Sequence, residues 1–295
     1  MVDSNMYPNT KTWNRSVGCL FDCVYCKPSF QRQLKRVAYN IGCKKCYTYE
    51  PHDHLSRTTI PSSPIVFVYG TGDIRFYDPS SVRSTFEIID KHKPRMKKTY
   101  YFQSKDPKCF NKYLDWFNAN QDKVILLTTL ETNRNLNYRE ISKAPYPILR
   151  FKNFYNLDYP RKVVTIEPVL DFDILEFSEW IIRLHKQGTL EYVWFGFDSK
   201  NCGLPEPTIE KAQTFVNILT REGIEVRGKT LRGLSVPPPL PSRGTPTCPH
   251  CGSQRVRIVY KDDEGTEVDF YDCTWCSHVW KPDNSSMPSV TEKEK

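Results

Sequence analysis

Long apolar runs are missing from this sequence: no stretch of about 18 consecutive apolar residues occurs, which excludes a readable membrane-spanning helix. The first residues, MVDSNMYPNTKTWN, also lack the apolar stretch of a signal peptide, so a cytoplasmic location with no membrane partner is expected. Glycine fingerprints are scarce as well. No GxGxxG occurs, and neither a dinucleotide-binding turn nor a P-loop is expected, so nucleotide recognition must rest on the ends of strands. Acidic residues are absent from 27 to 49, where Lys27, Arg32, Lys35, Arg36, Lys44 and Lys45 stand without counter-charge. Within a chain of formal net charge +8, that segment reads either as a footprint for a nucleic acid or nucleotide or as a solvated loop.

Cysteine, by contrast, is plentiful. Eleven cysteines are heavy usage for a reducing compartment unless most hold metal. Their spacing fits ligation: Cys19, Cys23 and Cys26 form one cluster, Cys43 and Cys46 a pair, and Cys248, Cys251, Cys273 and Cys276 two further CxxC pairs. Cys109 and Cys202 read as ordinary small apolar thiols.

Short β-branched runs recur with helical patterns between them: IVFVYG, KTYYFQS, KVILLTTLE, KVVTIEPVL, YVWFGF and IEVRGKTL alternate with stretches such as SSVRSTFEIIDKHK, PKCFNKYLDWFNAN, ILEFSEWIIRLHKQG and TIEKAQTFVNILTREG. Gly188 and Gly223 close the last two where a helix C-cap favours glycine. With a first strand leading into Gly18 and Cys19, the pattern predicts an α/β fold, an incomplete (β/α) barrel of about six to seven parallel strands over residues 1–234. Composition then shifts to a proline-rich linker at 235–247. A small β zinc ribbon is expected at 248–280 and a disordered tail at 281–295.

In the ribbon, two CxxC knuckles flank RVRIVYKDDEGTEVDFY, whose alternation and Gly265 predict a β-hairpin that closes four thiolates on one Zn2+. Such a closed shell leaves no catalytic position, and the metal supplies most of the folding free energy of so small a unit. His250 and His278 either replace a cysteine or stand outside the shell. Arg255, Arg257 and Lys261 are outnumbered by Asp262, Asp263, Glu264, Glu267, Asp269 and Asp272, which disfavours phosphate binding through the hairpin tip and leaves docking to the barrel or a partner protein.

Cys43 and Cys46 sit in GCKKCYTYEPHDH. They form either an auxiliary metal site completed by His52 and His54, a redox or substrate-handling pair, or a plain loop.

Three cysteines spaced C-x3-C-x2-C would leave one iron of a 4Fe-4S cluster without a protein ligand, though three thiols can also be core residues or part of a larger zinc site. The stretch CLFDCVYC, with Tyr25 directly before the third cysteine, resembles the signature of the radical S-adenosylmethionine (radical SAM) superfamily. Trp13-Asn14, Gly72-Asp73-Ile74, Ser104-Lys105-Asp106-Pro107, Glu131, Ile166-Glu167-Pro168, Gly196 and Pro205-Glu206-Pro207 are similar to a phage-associated and archaeal branch of it, a phage-protein-like domain of unknown function. The similarity covers roughly residues 10 to 234. Arg15, where a proline usually follows Trp-Asn, departs from that branch, and Cys43, Cys46 and the ribbon lie outside its minimal pattern.

The resemblance implies a 4Fe-4S cluster on Cys19, Cys23 and Cys26, SAM on the remaining iron, and an electron donor such as a flavodoxin or ferredoxin. Reductive cleavage of SAM would yield a 5′-deoxyadenosyl radical that abstracts a hydrogen atom from substrate. Tyr25, Gly70, Thr71, Gly72, Asp73 and Asp198 are the implied cofactor-binding residues, and Lys105, Glu131 and Glu167 the implied catalytic ones. Each polar residue has a plainer reading as a helix cap or rim salt bridge. Asn201 and Lys229 lie further round the rim, and Tyr100, Tyr101, Phe102, Trp194, Phe195 and Phe197 either wall a cavity or belong to the core. The substrate is expected to be a nucleic acid or nucleotide. The alternatives are a protein or small-metabolite substrate, or a noncatalytic Fe-S/zinc binding module.

Overall fold

Alternation within each apolar run sorts its side chains onto two faces of one sheet, as the two-residue period of a strand requires. In the computed structural model, which describes residues 7, 9–94, 97–239, 248–251, 256–260, 268–273 and 276–281, these runs form β1 (Thr10–Trp13), β2 (Ile65–Val68), β3 (Thr99–Gln103), β4 (Val124–Thr129), β5 (Lys162–Ile166), β6 (Leu190–Phe195) and β7 (Val226–Gly228). The seven strands pair in parallel, in sequence order, to give a curled half-barrel. The α/β class and the strand count agree with the sequence pattern. Among the described residues β7 does not pair back onto β1.

Among the described residues seven α-helices connect or flank the strands: α1 (Arg32–Ile41), α2 (Pro79–Lys91), α3 (Leu114–Ala119), α4 (Tyr138–Ile141), α5 (Pro147–Tyr155), α6 (Ile174–Lys186) and α7 (Ile209–Arg221). Val68, Phe102, Leu126, Val164 and Phe195 share the large core with helix residues such as Phe86, Phe151, Phe177 and Phe215. The opposite, concave face carries Tyr101, Ile125, Leu127, Val163, Tyr192 and Trp194, joined there by Tyr7 from ahead of β1. Helix boundaries follow local chemistry. The Asp78 carboxylate accepts from Ser80 N at 2.8 Å ahead of α2, Thr208 Oγ1 accepts from Lys211 N at 3.2 Å ahead of α7, and Gly188 and Gly223 take positive φ beyond α6 and α7.

One helical expectation splits in two. PKCFNKYLDWFNAN forms a 3-10 segment, Pro107–Tyr113, before the short α3. Pro107, Phe110 and Tyr113 are all buried and lie three residues apart, the period of the tighter winding.

The chain divides into two compact units, Met1–Pro239 and Leu240–Lys295. In the second, β8 (Val256–Tyr260), β9 (Val268–Cys273) and β10 (Val279–Trp280) form an antiparallel sheet. The hairpin tip with Asp262, Asp263, Glu264, Gly265 and Glu267, most of the linker and nearly all of the tail lie outside the described residues. No described helix is long and apolar enough to cross a membrane.

Candidate functional site

After β1 the chain makes a two-residue pairing, Ser16–Val17 with His52–Asp53, and turns at Gly18. Gly18 N donates to Thr71 O at 3.1 Å, Cys19 N donates to Tyr49 O at 3.0 Å, and Gly18 bridges Gly72. Neither glycine tolerates a side chain. At Gly18, φ is +95° and an added Cβ would lie 2.3 Å from Glu50 O; at Gly72 it would lie 1.7 Å from the Tyr77 hydroxyl and 2.5 Å from Gly18 O. Two glycines thus let the cysteine loop lie directly on the turn after β2.

The three N-terminal cysteines then follow in a tight coil. Cys26 N donates to Cys23 O at 2.9 Å, opening the short 3-10 turn Val24–Cys26. The Cys23 thiol is lowered to about 6, chiefly by its hydrogen bond with Cys26, and its Sγ lies 3.0 Å from Ser142 Oγ. Cys19, Cys23 and Cys26 pack with Phe21, Tyr25, Phe76 and Ala144. All three line one cavity of about 790 Å3.

That cavity runs across the C-terminal ends of the strands, where a β/α barrel gathers its reactive groups. Gly70, Gly72 and Asp73 face it after β2, Gln103 and Lys105 around the end of β3, and Thr129 from β4. Glu167 and Pro168 follow β5, Asp198, Ser199 and Lys200 follow β6, and Lys229 and Thr230 follow β7. Arg32, Gln33 and Arg36 of α1 complete a basic margin. Among the described lining residues no fourth cysteine and no histidine accompanies Cys19, Cys23 and Cys26.

Lys105 and Glu131 form an ion pair, with Lys105 Nζ 4.5 Å from the centre of the Tyr25 ring. The Tyr25 hydroxyl donates to the same Glu131 oxygen, and Arg150 donates to the other at 2.7 Å. Burial opposes ionisation of Glu131, but Arg150 and Lys105 overcome it and hold the carboxyl at about 2. Burial likewise opposes the charge on Lys105, yet Cys23 and Glu131 raise it above the ordinary lysine range. Glu131 is fully buried and does not line the cavity; it presents Lys105 and Tyr25 to it. Neither Arg150 nor Tyr138, whose hydroxyl accepts from Arg150 at 2.6 Å, carried a signal in the sequence.

The Asp73 carboxylate accepts from Arg75 N and Lys105 N, both at 2.9 Å, and from Ser104 Oγ at 2.7 Å. Burial nonetheless pushes it up to about 6. Glu167 is raised by burial, although it accepts a hydrogen bond from Trp194 Nε1 and is attracted by Lys229 and Lys200. A Cβ at Gly196 would come within 3.0 Å of its carboxyl carbon, so that glycine makes room for the acid. Asp198 accepts from Lys200 N at 2.8 Å and from Cys202 N, capping the turn after β6. Thr71 does not line the cavity; its Oγ1 is buried with no hydrogen-bond partner, as is Gln103 Oε1. Asn201 also lies outside the lining.

Gly223 to Thr230 reads GIEVRGKT, which does carry the glycine and lysine spacing of a P-loop, contrary to expectation. The stretch runs from the end of α7 into β7, the reverse of the strand–loop–helix order that a phosphate cradle needs. Arg15, the departure from the Trp-Asn pattern, is buried and donates to Thr85 Oγ1 at 3.1 Å and Leu55 O at 3.2 Å.

In the second unit, Cys248 and Cys276 Sγ lie 3.6 Å apart and Cys251 and Cys273 Sγ 3.7 Å apart. Sulfurs around a tetrahedral zinc with Zn–S of about 2.3 Å are about 3.8 Å apart, so the four thiols fit a metal ion. His250 and His278 are not in this group; their rings stack at 5.5 Å. Cys43 and Cys46 lie outside the cavity, beside His52 and His54.

No family model and no curated protein matches the chain. Among solved structures it is similar to native anSMEcpe with bound AdoMet and Cp18Cys peptide, at 9% identity and a TM-score of 0.38, over 75% of this chain. The match spans 64% of that chain's length.

Proposed function

We propose that this chain is a radical SAM enzyme of the phage-associated and archaeal branch, acting on a nucleic acid or nucleotide. The observation that carries the reading is the three-cysteine coil on the rim of the strand-end cavity, with no fourth cysteine or histidine among the described lining residues. That donor set fits a 4Fe-4S cluster with one iron left to an exogenous ligand. Cys19, Cys23 and Cys26 would hold the cluster, Tyr25 and the Gly70–Asp73 turn would border the methionine end of SAM, and Asp198 the nucleoside end. When bound, cluster and SAM supply reductive cleavage to methionine and a 5′-deoxyadenosyl radical for hydrogen-atom abstraction, with electrons from a flavodoxin or ferredoxin.

The protein's own groups orient and insulate. Lys105 keeps its proton and offers a fixed cation to the carboxylate of SAM, while Glu131, itself braced by Arg150, holds that cation in place. Glu167, anchored by Trp194, offers an acceptor of raised basicity to a hydroxyl of the ribose or substrate. The buried acceptor of Gln103, which lines the cavity, lacks a protein partner and suits a polar ligand. Arg32, Arg36, Lys200 and Lys229 bring four cations to the same cavity, which favours a phosphate-bearing substrate over a neutral metabolite. The ribbon would hold a structural Zn2+ and serve as a docking module for a partner protein.

Anaerobic reconstitution with iron and sulfide tests the reading. A brown cluster should form and, once reduced, convert SAM to 5′-deoxyadenosine. Assembly of four irons with no SAM cleavage under any reductant, with or without RNA, DNA or nucleotides, would return the cysteines to a noncatalytic role.

A further inference from the structure

The four side chains Cys43, Cys46, His52 and His54 present ligand atoms that all lie within 4.8 Å of one another. His52 Nε2 is 3.4 Å from Cys43 Sγ, 3.3 Å from Cys46 Sγ and 3.0 Å from His54 Nε2, and His54 Nε2 is 3.5 Å from Cys46 Sγ. A tetrahedral zinc with Zn–S of about 2.3 Å and Zn–N of about 2.0 Å has S–N edges of about 3.5 Å and N–N edges of about 3.3 Å. The two sets agree. From this we infer that Cys43, Cys46, His52 and His54 bind one Zn2+ as a closed Cys2His2 site, separate from the strand-end cavity.

The same four ligand types also occur in Rieske two-iron clusters, but there the cysteines and histidines bind different irons. Here each histidine nitrogen touches a cysteine sulfur and the other histidine, which leaves room for a single ion. The tautomer is already set at His52, whose Nδ1 lies 2.7 Å from Glu50 O, so that Nε2 carries the lone pair turned to the metal. With four protein ligands no position is open to substrate, and the role is structural.

Its placement says what it holds. Cys43 lies between the end of α1 and the 3-10 turn Lys44–Tyr47 and Cys46 lies within that turn, while His52 pairs with Val17. The ion would therefore tie the end of α1 to the strand immediately before Gly18 and Cys19. Between these ligands lie Tyr49, whose carbonyl accepts from Cys19 N, and Glu50, on whose carbonyl Gly18 rests. The apolar core of this region is small, Val17, Leu34, Ala38 and Cys46 with Phe30, Cys43 and Tyr49 packed against them, and a metal compensates for such a thin core. The site has its own ligands and stands whether or not Cys19, Cys23 and Cys26 hold iron.

The full chain, purified and loaded with zinc, should contain two equivalents, one of them in the ribbon. Cys46→Ser or His52→Ala is expected to lose one equivalent, Cys251→Ser the other, and the Cys46→Ser chain should exchange the Cys19 amide hydrogen faster. Cobalt offered to the Cys251→Ser chain should give a tetrahedral spectrum with thiolate charge transfer. X-ray absorption at the zinc edge of the unmutated chain needs no variant to fold and should show nitrogen beside sulfur in the metal shell. A purely sulfur shell, an unchanged zinc content in both Cys46→Ser and His52→Ala, or preferential uptake of iron at this site when both metals are offered would overturn the assignment.

Discussion

Tyr25, inside the cysteine coil, donates its hydroxyl proton to Glu131, which follows β4 and lies 106 residues further along the chain. The bond fastens the loop that carries the cysteines to the centre of the sheet. Because Glu131 also neutralises Lys105 and Arg150 in a dry setting, the carboxylate governs both stability and the charge facing the cavity. Glu131→Gln leaves two buried cations short of a counter-charge and is expected to cost about 3–5 kcal/mol in urea unfolding. Tyr25→Phe removes one hydrogen bond to a charged acceptor and should cost about 1.5–3 kcal/mol, less than loss of the acid. Equal costs would mean that the ion pairs of Glu131 with Lys105 and Arg150 add nothing beyond the tyrosine bond.

Asp73 sets a dependence on pH. Burial raises its carboxyl from 3.8 to about 6, so across that interval the folded chain retains a proton that the unfolded chain has released. Its contribution to stability is complete below the lower value and declines as pH rises through the upper one. Asp73→Asn should flatten this decline, whatever it does to absolute stability. Urea midpoints measured on both sides of pH about 6 for parent and variant provide the check; parallel curves would contradict it.

Two glycines separate backbone strain from steric collision. Gly188 has φ of +71° with nothing within 4 Å of an added Cβ, whereas Gly18 has φ of +95° with Glu50 O at 2.3 Å. Gly188→Ala should cost about 1–2 kcal/mol, the penalty for an L-residue in a left-handed conformation. Gly18→Ala must also displace backbone, so its melting temperature should fall further, and the iron uptake proposed for Cys19, Cys23 and Cys26 should be lost as the coil moves. Similar melting shifts for the two would mean that the Gly18 contact relaxes freely.

The basic margin makes a quantitative claim about salt. If Arg32 and Arg36 contact phosphates of a single strand, replacing each with alanine should lower the slope of log affinity against log salt by about 0.7. Filter binding of an unstructured RNA across a salt series measures this. An unchanged slope would leave the cationic segment of α1 as a solvated face.

The seven strands and the cysteine groups were legible because their signals are local: β-branched runs repeat, and CxxC spacing brings thiols together within one turn. The charge network behind the cavity was not. Arg150 lies in α5, in a stretch whose helical pattern gives no reason to bury a guanidinium, and its burial depends on Glu131 and Tyr138 folding against it. Glu131 was picked out as a strand-end acid, but only the fold distinguishes an acid that faces the cavity from one that braces its neighbours. Tyr7 was equally silent, a single aromatic in a polar N-terminal segment.

Tyr7 lies 4.9 Å from Trp194 and 5.6 Å from Tyr101 by ring centres, and shares a 2.7 Å hydrogen bond with Thr165. It joins the apolar cluster on the concave face and also borders the strand-end cavity. With Phe67 also against its ring, one side chain from ahead of β1 clasps four separate strands, β2, β3, β5 and β6, and so anchors the start of the chain to the middle of the sheet.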